Sequence, residues 1–218
     1  MRVLAALLAT TLVTGPLAGQ TSDDGLRPGR RHLSAYIAGS WTKQFGPAYS
    51  SIPTQPYGML VGRTEYVLEA NERFALSFYM EVMPAILVDG VPRYHYANLW
   101  VPPAGPTIRG KVWDDPGLVF GVGATPAGMQ AYVRTSERVS LFMSTSGGAA
   151  WFTRDMPVPD ARQLNFLVDL GGGIRVARKT GSAFVAGVKF HHMSNGNLGR
   201  QNPGIDGNLV YAGLSRPR

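Results

Sequence analysis

Hydrophobic and polar residues alternate along much of this chain with a period of two. Between residues 74 and 82 the even positions are apolar, and the odd positions include a serine, a tyrosine and a glutamate. A stretch from Leu164 to Val176 repeats the pattern, with Asn165, Asp169 and Arg175 on the polar side. Successive residues of a strand point to opposite faces, so each stretch predicts a strand with one apolar and one polar face.

Counting such segments between Gly, Pro, Asp or Asn residues predicts eight strands. They cover residues 32–45, 57–69, 72–85, 107–123, 138–154, 162–177, 181–193 and 206–215. An even number of segments of about ten residues or more fits the smallest outer-membrane barrels. The predicted fold is therefore all-β, an eight-stranded antiparallel transmembrane β-barrel of outer-membrane type. Between Asp89 and Gly117, a proline-rich stretch favours a long loop over a strand; it includes Pro92, Pro102, Pro103 and Pro106.

The sequence alone does not say which strand face lies outside, because a soluble sandwich would normally turn its charges to water. The start of the chain favours a membrane barrel. Arg2 precedes an apolar run through Val13 and a small-residue zone ending at Gly19, which is the order of a secretory signal. We expect a signal peptide over residues 1–19, a flexible lead over 20–31 and one barrel domain over 32–218. Since the chain has no cysteine, we expect neither a lipoprotein anchor nor disulfides.

The chain is basic, with 21 Lys and Arg against 14 Asp and Glu, a net charge of +7. Because we expect the chain to be secreted, we do not expect nucleic acid as its partner. An anionic lipopolysaccharide surface would favour the same charge, and so would plain solubility.

The tract from His191 to Asp206 carries the candidate chemistry. It combines a histidine, a serine two residues later, asparagines and an acid, which are the parts of an acyl-transfer site. Ser-Asn-Gly and Asn-Pro-Gly, taken singly, are also ordinary turn sequences. Residues two apart on a strand lie on one face, about 7 Å apart, so His192 and Ser194 share the apolar face while His191 faces the other way.

Two elements in order, His192-Met193-Ser194-Asn195 and Asn202-Pro203-Gly204, closely resemble the C-terminal signature of the outer-membrane lipid A 3-O-deacylase (PagL, or acyloxyacyl-hydrolase-like) family. The resemblance implies an ester hydrolase that removes the 3-O-linked acyl chain of lipid A in the outer membrane. It also implies Ser194 as nucleophile, His192 as base and Asn202 as oxyanion donor, with Asn195 and Gly196 as further candidates. No cofactor is implied. The acid of the family is a glutamate, whereas this chain offers Asp206.

Hairpin geometry predicts how the acid reaches the histidine. If the last two strands pair around a loop centred near Gly199, His192 lies opposite Asp206, and three further pairs match: Phe190 with Asn208, Val188 with Val210 and Phe184 with Leu214. Directly opposed side chains are roughly 5 Å apart at Cβ, so Asp206 could accept the Nδ1 proton of His192.

Two other function classes stay open at the sequence level. One is a non-catalytic outer-membrane barrel of structural or adhesion type, and the other is a secreted soluble β-protein that binds a hydrophobic ligand. A metal site is not expected, because His191 and His192 face opposite ways and no His/Asp/Glu cluster accompanies them.

Overall fold

The computed structural model describes residues 25–41, 56–99, 108–179 and 181–218 of the chain. Eight antiparallel strands follow one another around a closed barrel, and β8 pairs back with β1. The strands are β1 Arg31–Trp41, β2 Tyr57–Ala70, β3 Phe74–Leu99, β4 Ile108–Arg134, β5 Val139–Met156, β6 Arg162–Ala177, β7 Ala183–Ser194 and β8 Ile205–Pro217. The predicted fold class is confirmed. Among the described residues, no helix is long and apolar enough to cross a membrane.

The predicted long loop between Asp89 and Gly117 is wrong over most of its length. Strand β3 continues to Leu99 and β4 begins at Ile108, and the two pair beyond the predicted limits, for example Tyr94 with Trp113. Within the stretch from Asp89 to Gly117, only residues 100–107 lie outside the described residues, and they include Pro102, Pro103 and Pro106.

Irregular pairing explains how prolines fit in these strands. Four prolines lie at register shifts: Pro84, Pro126, and the pair Pro92 and Pro116, which are on the two strands of one shift. A proline has no N–H for the ladder, and a shift in register leaves a position where none is required. This also explains why β4 runs on to Arg134, beyond the predicted end at residue 123.

The faces of the strands are arranged as in a membrane barrel. Large apolar side chains are exposed on the outer wall, among them Phe74, Leu76, Met80, Val82, Phe166, Val168 and Leu170. Polar and charged side chains are buried inside, among them Ser77, Glu81, Asn165, Asp169, Arg175 and Lys189. The outward apolar face and inward polar face are therefore confirmed for both alternating stretches.

Ion pairs fill the interior. Arg63 donates to Glu81, with Nη2 and Oε1 2.6 Å apart, and Lys189 Nζ lies 2.9 Å from an oxygen of Asp169 and 3.6 Å from one of Glu81. His191 Nδ1 lies 2.5 Å from the other oxygen of Asp169. Because each buried charge has a partner of opposite sign, this part of the barrel is packed and not a pore.

The predicted signal peptide, residues 1–19, and the first part of the predicted lead lie outside the described residues. The described part, residues 25–30, packs at the barrel end where β1 begins and β8 ends. Leu26 is buried there, the Gly25 carbonyl accepts a hydrogen bond from His32 Nε2 at 2.9 Å, and Arg134 donates to the Leu26 carbonyl at 2.6 Å.

Candidate active site

The candidate residues lie at the opposite end of the barrel, where β7 ends, a ten-residue loop follows and β8 begins. His192 pairs with Asp206 across this hairpin. The other three predicted pairs are also present, Phe190 with Asn208, Val188 with Val210 and Phe184 with Leu214. The predicted register is therefore confirmed.

His192 and Asp206 form a hydrogen bond on the outer wall, with Nδ1 and Oδ1 2.7 Å apart. The Asp206 side chain is fully buried, whereas that of His192 is 24% exposed. A neutral imidazole that donates from Nδ1 keeps Nε2 as an acceptor. The pair thus has the hydrogen-bond pattern of a general base held in one tautomer by a carboxylate.

Ser194 and His192 line the same cleft on the outside of the barrel. The cleft has a volume of about 480 Å³, and its lining comprises Val168, Phe190, His192, Ser194, Asn202, Pro203 and Gly204. Polar groups from β7 and the loop therefore meet apolar wall residues from β6 and β7. Such a cleft can take an ester group together with the first part of an apolar chain.

The loop holds Asn202 toward this cleft. The Asn195 backbone N–H donates to Asn202 Oδ1 at 2.9 Å, and Asn202 Nδ2 donates to Asn197 Oδ1 at 3.1 Å. An amide nitrogen carries two protons, so a single bond to Asn197 leaves the second proton of Nδ2 for another acceptor.

Two of the sequence candidates lie elsewhere. Asn195 is fully buried, and its side-chain Nδ2 donates to the Gln201 carbonyl at 2.7 Å. Gly196 has a positive φ of 60°, and a Cβ on it would lie 3.0 Å from the ring of Phe166. Neither residue lines the cleft. The structure thus gathers Ser194, His192, Asp206 and Asn202, and leaves Asn195 and Gly196 in the supporting turn.

Gly204 is a feature that the sequence did not reveal. Its φ is +68°, and a Cβ there would lie 3.2 Å from His192 Cε1 and 3.9 Å from Ser194 Cβ. The bare Cα therefore faces both groups across a gap that one methyl would fill. Its place in an Asn-Pro-Gly turn was the available signal, but the turn alone did not say what the glycine faces.

His191 faces the interior, as expected from strand alternation. It is buried against Asp169, and the ring of Tyr57 lies 5.3 Å from its own ring. Within the described part of the chain, no group of three or more His, Asp or Glu side chains could hold a metal ion.

A family model matches much of the chain. The family model described as "Lipid A 3-O-deacylase (PagL)" matches residues 66–215. No individual curated protein sequence matches the chain.

Among solved structures, the chain is similar to "the outer membrane enzyme PagL", with 14% identity, a TM-score of 0.50, and coverage of 86% of this chain and 99% of that one. It is also similar to Neisserial surface protein A, with 12% identity, a TM-score of 0.46, and coverage of 86% and 95%. At such identities the structural likeness concerns the fold alone. The family match spans more than half of the chain, and the protein therefore belongs to the lipid A 3-O-deacylase (PagL) family of ester hydrolases.

Proposed function

We propose that this protein is an outer-membrane esterase that hydrolyses the 3-O-linked acyl chain of lipid A, with Ser194 as nucleophile, His192 as base and Asp206 as the orienting acid. The observation that carries the proposal is the position of His192, which is hydrogen-bonded to a buried carboxylate on one side and lines a cleft with Ser194 on the other. Family membership supplies the substrate class.

In the proposed reaction, Ser194 Oγ attacks the ester carbonyl carbon while His192 Nε2 takes the hydroxyl proton. The tetrahedral intermediate collapses, and the C–O bond to the sugar breaks. His192 returns the proton to the leaving sugar oxygen, which leaves an acyl group on Ser194. A water molecule, deprotonated by His192, then attacks this acyl-enzyme. The products are a free fatty acid and the regenerated serine.

Asn202 is the proposed oxyanion donor, since its amide lines the cleft and keeps one proton free of the bond to Asn197. Asn195 fits a positioning role, because its backbone N–H fixes the Asn202 amide and its side chain is bonded to the loop. Gly196 does not line the cleft and fits a structural role in the turn, where its φ is positive. One such donor contributes about 3 kcal/mol of transition-state stabilisation.

The outward direction of the cleft suits a substrate that stays in the membrane. Suppose that residues 1–19 are an export signal, that residues 20–31 are a short polar lead, and that the start of β1 and the end of β8 face the periplasm. Strand β7 then runs outward and ends at the outer surface. Lipid A occupies that leaflet. Its acyl chain could then lie along Val168 and Phe190 while its ester reaches Ser194.

Two alanine substitutions test the proposal. Ser194→Ala and His192→Ala should each abolish release of fatty acid from lipid A, because each removes one partner of the proton transfer. The matched control is Ser77→Ala, a buried interior serine whose hydroxyl has no hydrogen-bond partner among the described residues. It should keep full activity.

The readout is mass spectrometry of lipid A from cells that express each variant, with the heat-modifiable gel band as the check on folding. Wild-type activity in both alanine variants would refute the assigned roles. A folded wild type that leaves lipid A intact would instead favour a non-catalytic barrel.

A further inference from the structure

The positive charge of this protein is concentrated at one end of the barrel. We define the terminal rim as residues 25–31, 69–73, 134–138, 178–179 and 216–218, which lie at the barrel end where β1 begins and β8 ends. It contains three acidic residues, Glu69, Glu72 and Glu137. It contains ten basic residues: Arg27, Arg30, Arg31, Arg73, Arg134, Arg138, Arg178, Lys179, Arg216 and Arg218. The excess of seven equals the net charge of the whole chain, +7.

The other described parts of the barrel are balanced. The interior has three basic side chains, Arg63, Arg175 and Lys189, against three acidic ones, Glu65, Glu81 and Asp169. At the cleft end, the residues whose side chains the structure describes include three basic ones (Arg154, Arg162 and Arg200) and four acidic ones (Asp89, Asp155, Asp160 and Asp206). Among the described side chains, the excess positive charge is thus at the terminal rim and not at the cleft end.

The rim borders the apolar wall. Nine of its ten basic side chains are exposed, all except Arg134. Exposed apolar residues of the wall lie beside them, including Leu68, Phe74, Phe184 and Leu214. Strand β7, with 12 residues, is about 36 Å long, and at a tilt near 40° it spans roughly 28 Å, close to the thickness of a hydrocarbon core. The rim and the cleft therefore lie at the two opposite membrane surfaces.

We propose that the terminal rim binds the anionic phospholipid headgroups of the periplasmic leaflet. This inference rests on the proposed function, which places the cleft in the outer leaflet and so the rim in the inner one. Guanidinium groups suit phosphate because their planar N–H forks can donate two parallel hydrogen bonds. Long basic side chains at the edge of an apolar wall can also keep their stems in lipid while their charge reaches the headgroups.

Lipid selectivity of the folded protein in vesicles tests this surface. Spin-labelled phosphatidylglycerol and phosphatidylcholine report, by electron spin resonance, which lipid is immobilised at the barrel. We expect the wild type to prefer phosphatidylglycerol on the order of 5-fold, because roughly one basic side chain would attract each bound anionic headgroup. The preference should shrink in 1 M salt, where the screening length falls to about 3 Å.

The decisive variant is Arg30→Gln/Arg31→Gln/Arg178→Gln/Lys179→Gln, which alters exposed rim side chains only. It should lose most of the preference, whereas Glu69→Gln/Glu72→Gln/Glu137→Gln on the same rim should increase it. The matched control at the other end, Arg162→Gln/Arg200→Gln, should leave it unchanged. The heat-modifiable gel band checks that each variant is folded.

Unchanged selectivity in the rim variant would overturn the proposal, and so would an equal loss in the control at the cleft end. A wild type without lipid preference would also overturn it and would point to a protein or glycan partner for the rim. Ser194→Ala, which tests the proposed function, should keep the full lipid preference. Failure of the esterase assignment and failure of the lipid-binding surface are thus separate results.

Discussion

Two consecutive histidines of β7 have different surroundings because strand residues alternate in direction. His192 faces the outer wall, where it bonds Asp206 and lines the cleft. His191 faces the interior, where it bonds Asp169 and is almost fully buried. Each imidazole is hydrogen-bonded to its own carboxylate, and the imidazole of His192 also lines the cleft. The proposed role as a base therefore depends on the strand face that the histidine occupies, and not on the residue type alone.

Asp206 should be needed for its charge and not only for its shape. In Asp206→Asn, the side chain has the same length but can donate to Nδ1 of His192, which favours the tautomer with a proton on Nε2. That tautomer cannot accept the Ser194 proton. We expect kcat for lipid A to fall by about 10²- to 10⁴-fold, with the protein still folded.

The conservative control is Asp206→Glu, which keeps the carboxylate and restores the acid that the family resemblance implies. It should retain much more activity than the asparagine variant. Steady-state release of fatty acid by purified protein measures both. If Asp206→Asn had the wild-type kcat, then Ser194 and His192 would work as a dyad, and the 2.7 Å contact would have only a structural role.

Gly204 should be required because a methyl group there would crowd the imidazole of His192. In Gly204→Ala, the new methyl would lie 3.2 Å from His192 Cε1, and the positive φ would add strain of about 1–2 kcal/mol. We expect a drop in kcat on the order of 100-fold, since small displacements of reacting groups are costly.

Gly90→Ala separates crowding from strain. Gly90 has a similar φ of +76°, but a Cβ there would meet nothing within 4 Å. This control should lose stability to a similar degree and keep its kcat. Equal kcat values for Gly204→Ala and wild type, measured in the same assay, would show that the cleft tolerates the methyl.

At the scale of elements, the β7–β8 hairpin could be predicted because its register is fixed by the alternation of an apolar and a polar face. A shift by one residue would move Phe184, Val188 and Phe190 from the apolar face to the polar one, so the sequence permits a single good alignment. The contact between His192 and Asp206 follows from that alignment. The lengths of β3 and β4 could not be predicted in this way, because prolines at register shifts resemble loop residues in the sequence.

The loop between β7 and β8 marks where prediction from the sequence stops. Ser194 and His192 are placed by the period of the strand, which is visible in the sequence. Asn195 and Asn202 are placed by a turn that contains a positive φ of 63° at Asn197. The direction of an asparagine side chain in such a turn depends on which buried backbone groups need partners. Hence the residue pattern named both asparagines, and the family resemblance, not the turn itself, favoured Asn202.

At the scale of the whole molecule, buried ion pairs lie in the barrel interior behind the proposed site on the outer wall. The interior pairs connect β2, β3, β6 and β7 through Arg63, Glu81, Asp169 and Lys189. Lys189 has the central place, since it lies between Glu81 and Asp169 and all three side chains are buried. It belongs to the strand that carries His192 and Ser194, but it faces the opposite side and does not line the cleft.

Lys189→Met should therefore change stability without changing the chemistry. The substitution keeps an apolar stem but removes the ammonium group from Asp169, which stays in contact with His191. Breaking a buried ion pair typically costs about 3–5 kcal/mol. Urea unfolding of the barrel in vesicles should show this loss, whereas Val188→Met, on the exposed outer wall next to it, should be within about 0.5 kcal/mol of wild type. The kcat of folded Lys189→Met should match wild type. A fall in kcat larger than the unfolded fraction explains would mean that the interior charges also tune the cleft, and that the inner and outer faces of β7 are coupled.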